Sequence, residues 1–465
     1  MIALFRINDP YRLVLVLLIL VGLRMPFLLE DILPTIPQFR WMLIGERLAE
    51  GSFLYRDIYD FTAPFAAFVF QMMHHLFGRS LMASAIMAIV LVLIQSVIFN
   101  NLLLSSKTYN EGTYLPAYCY AVFMSVHYDF LVLSPALLSL TFVLLALSNI
   151  FKRIDNQTKD ELFLNTGIYL GIAAMFYLPS AILFLTFLII LIIYSNSLVR
   201  RLLMMTIGFV MIILIVTLYY FRMDAVSEFY NFFLNSLWTY KRLSYYSGWM
   251  SLVFLAFPLM ILVIAVFYLQ VKGKFANYQI KFQQAMLFLL AGSMLMLAFV
   301  KELAYFNWVF MIPAVAFFTV HLLLTIRVRI AAEFLNIIIL IAVFVLADIS
   351  YDWSLKKEAS YFMTEETPAI LQNRKILVLG DNLSFYRSAK SATPYVNWRI
   401  SKQLYSETAY YDNLLNIIKA FEKDPPDIVF DSEGLFPNVQ EKIPLLMYKY
   451  QPVPNYPGYY RNISN

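Results

Sequence analysis

Residues 81–104 read LMASAIMAIVLVLIQSVIFNNLLL, a stretch that holds no Asp, Glu, Lys or Arg. A helix of about 24 residues rises roughly 36 Å, enough to cross a hydrocarbon core of about 30 Å. Comparable apolar runs lie near 11–29, 112–127, 130–150, 163–178, 180–196, 202–221, 250–270, 283–300, 305–325 and 331–349. Composition agrees, with 61% hydrophobic and 14% charged residues and a mean hydropathy of +0.69. A water-soluble fold has no interior large enough for that much apolar surface. The expected class is a polytopic α-helical membrane protein with about eleven spans, since each run is close to the length that lipid requires.

The same composition excludes several functions. The net charge of +5 is distributed over loops instead of gathered in a patch, so nucleic-acid binding is a poor explanation. Cys119 is the one cysteine, and no intrachain disulfide can form. The run at 11–29 lacks a small-residue cleavage pattern and reads as a retained span. No internal repeat is visible and few ionisable residues fall at mid-membrane, which argues against a transporter.

Basic residues sit in the short links: Lys107; Lys152, Arg153 and Lys159; Arg200 and Arg201; Lys272, Lys274 and Lys281; Arg327 and Arg329. Placing all of them in the cytoplasm satisfies the positive-inside rule and puts 30–80, 222–249 and the chain after Ser350 on the outer side. Residues 62–78 (TAPFAAFVFQMMHHLFG) are apolar, and a crossing there would reverse every later link. The charge rule therefore favours a re-entrant or surface helix. Within 30–80, Phe39, Met42, Leu43 and Leu48 recur at helical spacing between Arg40, Glu46, Arg47 and Glu50, which predicts an amphipathic helix on the outer membrane surface, ended by Gly51.

The order of short motifs in this loop carries a resemblance. Ala49-Glu50-Gly51 follows the helix, then Tyr55-Arg56-Asp57, Ala63-Pro64 and Leu76-Phe77-Gly78-Arg79-Ser80. This succession, with the span order and a polar C-terminal domain, resembles the GT-C glycosyltransferases, specifically the branch of protein O-mannosyltransferases and lipid A aminoarabinose transferases. The resemblance implies an enzyme that moves a sugar from a polyprenyl phosphate to an acceptor on the outer face. The short loops and the absence of an organelle signal fit a bacterial inner membrane. Such chemistry needs a carboxylate for the acceptor hydroxyl and cations, or a metal, for the departing phosphate.

Two positions depart from the family pattern. The acid that opens the family's surface helix aligns with Gln38, and an amide cannot act as a general base. A second acid aligns with Ala136. Glu30, Asp31, Asp57, Asp60 and Asp129 lie near enough to substitute. Asp57 and Asp60 also read as turn and cap residues, while Asp57 and Asp129 are the candidate bases. For the phosphate the candidates are Arg24, Arg40, Arg56, Arg79, Lys241 and Arg242, with Arg47, Arg222 and Lys301 also on the outer side. Arg24 lies inside a span, where a charge calls for a partner, a cavity or snorkelling. His74 and His75 are adjacent and project about 100° apart on a helix, so the spacing gives no support to a metal site.

Two domains are expected: 1–350 in the membrane, including the loop 30–80, and 351–465 as a small extracytoplasmic α/β domain. In the latter, Lys375–Gly380 and Asp427–Asp431 read as strands and Tyr410–Lys423 as a helix. Neither G-x-G-x-x-G nor G-x-S-x-G occurs there. Two readings stay open. One is a transferase using a lipid-linked sugar. The other is a GT-C-type scaffold whose acids are replaced and which docks protein partners through the outer loop and the C-terminal domain.

Overall fold

The computed structural model describes residues 1–29, 33–155, 160–194, 198–239, 242–246, 248–273, 275–357, 362–363, 367–392, 395–454 and 456–463. The main helices are α1 (Arg12–Leu29), α2 (Ile36–Ala49), α3 (Pro64–Phe77), α4 (Leu81–Ser105), α5 (Leu115–Phe123), α6 (Pro135–Asp155), α7 (Glu161–Phe176), α8 (Ala181–Tyr194), α9 (Leu198–Arg222), α10 (Gly248–Lys272), α11 (Asn277–Leu297), α12 (Ile312–Thr325), α13 (Arg329–Lys357), α14 (Trp398–Ser406), α15 (Tyr411–Lys423) and α16 (Phe436–Lys442). They fall into two compact units, one of residues 1–32, 81–222 and 236–358, the other of residues 33–80, 223–235 and 359–465. The cut differs from the expected one, because 33–80 groups with the C-terminal sheet and not with the spans.

The first unit is the membrane part. Among the described residues eight helices are long and apolar enough to cross a bilayer, α12 counting together with the 3-10 turns Tyr305–Met311 that lead into it, and α7 and α8 are apolar but shorter. The run at 112–127 is corrected. It forms only the nine-residue α5, about 14 Å long and short of a bilayer's roughly 30 Å. Its surroundings explain why a broken element is tolerated: every residue from 113 to 131 is buried, and irregular backbone at membrane depth is permitted only inside protein.

Helices α7 and α9 approach through small residues. A Cβ placed on Gly167 would lie 2.0 Å from the Met205 carbonyl oxygen, so no larger side chain fits without moving α9. Gly171, one turn on, faces the Phe209 carbonyl oxygen at 2.9 Å. This is the small-residue packing that lets membrane helices gain dispersion contacts when lipid supplies no hydrophobic drive.

The second unit is a sheet covered on both faces. Strands β3 (Lys375–Leu379), β4 (Lys390–Ser391), β5 (Ile428–Asp431), β6 (Tyr450–Pro452) and β7 (Tyr459–Asn462) lie in the order β4-β3-β5-β7-β6; the two-residue β1 (Leu243–Ser244) and β2 (Glu302–Leu303) belong to the first unit. β3 runs parallel to β4 and β5, whereas β7 is antiparallel to β5 and β6. Side chains alternate along β3, as strand geometry dictates. Leu377 and Leu379 pack with Trp398, Phe421 and Phe436 from α14, α15 and α16. Ile376 and Val378 pack with Phe39 and Leu43 from α2.

That last contact corrects the reading of α2. Its apolar face covers the sheet, not a membrane surface, and nine of its residues are buried, among them Gln38, Arg40 and Glu46. The apolar face left open belongs to α3, where Phe68, Met72 and Leu76 recur every four residues and remain exposed. At about 21 Å this 14-residue helix is too short for a crossing, in line with a re-entrant or surface position.

Replacing Gly167 by Ala is expected to destabilise the first unit by about 1–3 kcal/mol, the usual range for overpacking. Gly22→Ala in α1, with no atom within 4 Å of the added Cβ, is the control and is expected to melt like the parent. Thermal unfolding of both variants in one detergent checks the difference.

Candidate functional site

In the second unit the loop 33–80 brings four carboxylates and four arginines together, and pairs them. Asp60 is fully buried. It accepts from the Thr62 backbone N–H at 2.7 Å, the Thr62 hydroxyl at 2.5 Å and Asn397 Nδ2 at 3.0 Å, and lies 3.1 Å from Arg40 Nε. Glu46 takes Arg79 in a two-pronged pair, one prong at 2.9 Å, and Arg79 also donates to the carbonyls of Tyr386 and Ala389. Arg47 bridges Glu50 at 2.9 Å and Asp424. Asp57 accepts from the Phe53 N–H at 2.8 Å and pairs with Lys423 and Arg56.

These pairs change what the candidates can do. Burial alone would raise the Asp57 pKa, but the hydrogen bonds from Lys423, Phe53 and Arg56 outweigh it and hold the carboxyl below its ordinary value. A carboxylate made less basic is a weaker proton acceptor. Arg40, Arg56 and Arg79, expected at a phosphate, each meet a carboxylate of this loop. Gln38 sits in the first turn of α2, its N–H received by the Thr35 hydroxyl at the helix cap. His74 and His75 close the last turn of α3. Among the described residues no three His, Cys, Asp or Glu side chains gather in a way that fits a metal.

In the first unit a different group forms around residues 124–129. Arg24 is buried in α1 and donates through Nη2 to the Met124 carbonyl at 2.9 Å and through Nε toward the Ser125 hydroxyl at 3.4 Å. Its Nη1 has no acceptor among the described residues. Asp129, also buried, accepts from the Phe306 N–H at 2.8 Å, while its own N–H donates to His127 Nδ1 at 3.1 Å. Because Nδ1 accepts, neutral His127 carries its proton on Nε2, and that atom too lacks a partner among the described residues. An aromatic stack braces the imidazole: His127 on Tyr305 at 4.1 Å, and Tyr305 on Tyr246 at 4.2 Å. Trp308 Nε1 donates to the Tyr246 hydroxyl at 2.8 Å. Ala136, aligned with the family's second acid, is buried near the start of α6.

Arg242 and Lys301 are held side by side where β1 pairs with β2, the Leu243 N–H bonding the Lys301 carbonyl at 2.7 Å. Burial first, and then the charge of Arg242, lower the Lys301 pKa. Two like charges fixed together favour an anion between them. Lys241 lies outside the described residues, as do Glu30 and Asp31.

No protein family matches the sequence, and no curated protein matches it either. Solved structures do. ArnT from Cupriavidus metallidurans, bound to undecaprenyl phosphate, superposes with a TM-score of 0.54 at 11% identity, covering 93% of this chain and 95% of that one. The chain has a GT-C-like fold. The apo oligosaccharyltransferase of Archaeoglobus fulgidus is a second match, with a TM-score of 0.51 at 10% identity over 90% of this chain and 69% of that one. The GT-C-like fold leaves Asp57 and Asp60 as ion-paired residues of the second unit, and Arg24, His127 and Asp129 as one connected group in the first. Arg24 and Asp129 were candidates from sequence. His127 stands two residues before Asp129 with no motif of its own, and the bracing Tyr246, Tyr305 and Trp308 carry no local signal apart from aromatic richness.

Asp60→Asn is expected to cost about 3–5 kcal/mol, because it strands a buried arginine. Asp57→Asn keeps an acceptor for Phe53 and loses mainly an exposed lysine, so about 1 kcal/mol is expected. The contribution of Asp57 to stability has a pH signature. With its folded pKa below the unfolded one, its stabilisation is present above the ordinary carboxylate range and disappears as pH falls through the lowered value. Melting curves of parent and Asp57→Asn should therefore differ at neutral pH and converge in acid. Separately, Arg242→Gln should raise the Lys301 pKa toward its ordinary value, readable by NMR after isotopic methylation of lysines.

Proposed function

We propose that this chain transfers a sugar from a polyprenyl-phosphate carrier to an acceptor on the outer, periplasmic side of a bacterial inner membrane. One observation carries the reading: within a GT-C-like fold, a buried arginine and a buried histidine anchored to the same six-residue segment each hold a donor that no group among the described residues receives. Burying such donors is costly unless an acceptor arrives, and a phosphate supplies several. Arg24 and His127 would hold the carrier phosphate, with Arg242 and Lys301 drawing it in. As the bond between sugar and phosphate breaks, negative charge grows on the phosphate oxygens, where donors fixed in a low-dielectric site act without reorganising.

Asp129 is the preferred base. Asp57 is the poorer one, since its carboxylate is held by Lys423 and is less basic. Gln38 would orient a substrate by hydrogen bonding without taking a proton. The scaffold reading draws on a specific observation of its own: each of the four loop carboxylates, Glu46, Glu50, Asp57 and Asp60, meets a cation of its own unit, and Gln38 stands at the helix start.

Native mass spectrometry of the purified chain in mild detergent tests the proposal. Polyprenyl phosphate is expected to be retained, with Arg24→Gln weakening retention about tenfold or more, as loss of a charged hydrogen bond does. Sugar transfer should fall in Asp129→Asn and persist in Asp57→Asn. No retained carrier, together with a stoichiometric protein partner, would replace the transferase reading by the scaffold.

A further inference from the structure

The opposite end of α4 carries a second feature, independent of the transferase reading. Helix α4 closes with the Lys107 N–H on the Leu104 carbonyl and the Thr108 N–H on the Leu103 carbonyl, both at 3.1 Å. This is the two-bond C-terminal cap whose pivotal residue must be left-handed, and that position is ordinarily glycine. Here it is Lys107, with φ at +48°. A side chain with a Cβ is disfavoured in this conformation and persists where something else holds it. A cation at a helix C-terminus gains from the dipole, and a basic link sets topology, but neither requires the lysine at the left-handed position itself.

The lysine lines a cavity of about 360 Å³, within the usual size range of ligand sites. Leu103, Leu104 and Pro116 form apolar wall, and Asn110 and Glu111 join Lys107 as polar lining. Gln279 Nε2 donates to Asn110 Oδ1 at 3.0 Å, which leaves the amide's N–H₂ as the end that can donate to a ligand. Arg6 pairs with Glu111 at 2.7 Å. Lys107 and Glu111 are the charged residues of the lining, and Arg6, from outside it, neutralises Glu111, which leaves Lys107 as the net charge facing the cavity. The cavity sits where α4 ends and α11 begins, since Tyr278 also lines it, and so at the depth of lipid headgroups.

We propose that this cavity binds the headgroup of an anionic glycerophospholipid, with the phosphate on Lys107, the polar headgroup on Asn110 and the glycerol end against Leu103 and Leu104. Basic pockets between membrane helices favour such ligands over zwitterionic ones. The sequence places this end among the basic links, on the cytoplasmic side.

The test uses the full chain in detergent with added dioleoyl phosphatidylglycerol, against dioleoyl phosphatidylcholine, read by native mass spectrometry and by melting temperature. The parent should retain phosphatidylglycerol preferentially and melt higher in its presence. Lys107→Gln and Lys107→Gly should each weaken that preference about fivefold, the worth of one basic residue at an anionic surface. Without lipid, Lys107→Gly should melt no lower than the parent, because glycine relieves the left-handed strain. Unchanged lipid preference in both variants overturns the proposal and leaves Lys107 a helix-end cation. Equal protection by soluble glycerol phosphate also overturns it, since the site would then serve a free phosphate ester.

Discussion

A buried carboxylate must find donors or be neutralised, and the second unit is arranged around that requirement at Asp60. Its donors come from three separated stretches: Arg40 on α2, Thr62 just before α3, and Asn397 at the cap of α14. Satisfying one oxygen pair therefore fixes the first loop against the C-terminal segment more than 330 positions away in sequence. Tyr55 shows the same constraint from the backbone side. It is buried with φ at +69°, bonded through its hydroxyl to the Thr62 carbonyl, and packed on Phe229 and Phe233. The loop is part of a folded body, with its polar groups turned inward.

This arrangement bears on function by subtraction. Charges that pair inside one unit stabilise that unit and have little left for a substrate. The first unit does the reverse at Arg24 and His127, where donors are buried, anchored and without an acceptor among the described residues.

Much of the membrane architecture is legible in the sequence because lipid imposes a length and a composition, and runs such as 81–104 meet both. The strand at Lys375 is legible as a short apolar run closed by Gly380, and the helix ending at Lys423 by its period of 3.6. What escapes is whatever depends on distant partners. The pattern of α2 is amphipathic and gives no hint whether its apolar face meets lipid or a sheet formed over 330 residues later. The distant partners of Asp57 and Asp60 escape likewise, since Lys423, which pairs with the one, and Asn397, which donates to the other, are ordinary residues until folding brings them close. Span length misled at 112–127, where apolar composition reflects burial in protein and not in lipid.

That interior element has a consequence for how the molecule is made. A nine-residue helix flanked by irregular backbone leaves many amide and carbonyl groups without partners, and lipid offers none. Until α1, α4 and α12 surround it, segment 113–131 has no stable place in a bilayer. The ribosome delivers it before α12 exists. The nascent chain must keep this stretch hydrated or chaperoned while some two hundred further residues are synthesised, so assembly of the membrane unit waits on its last helices and a truncated product would be a target for membrane proteases.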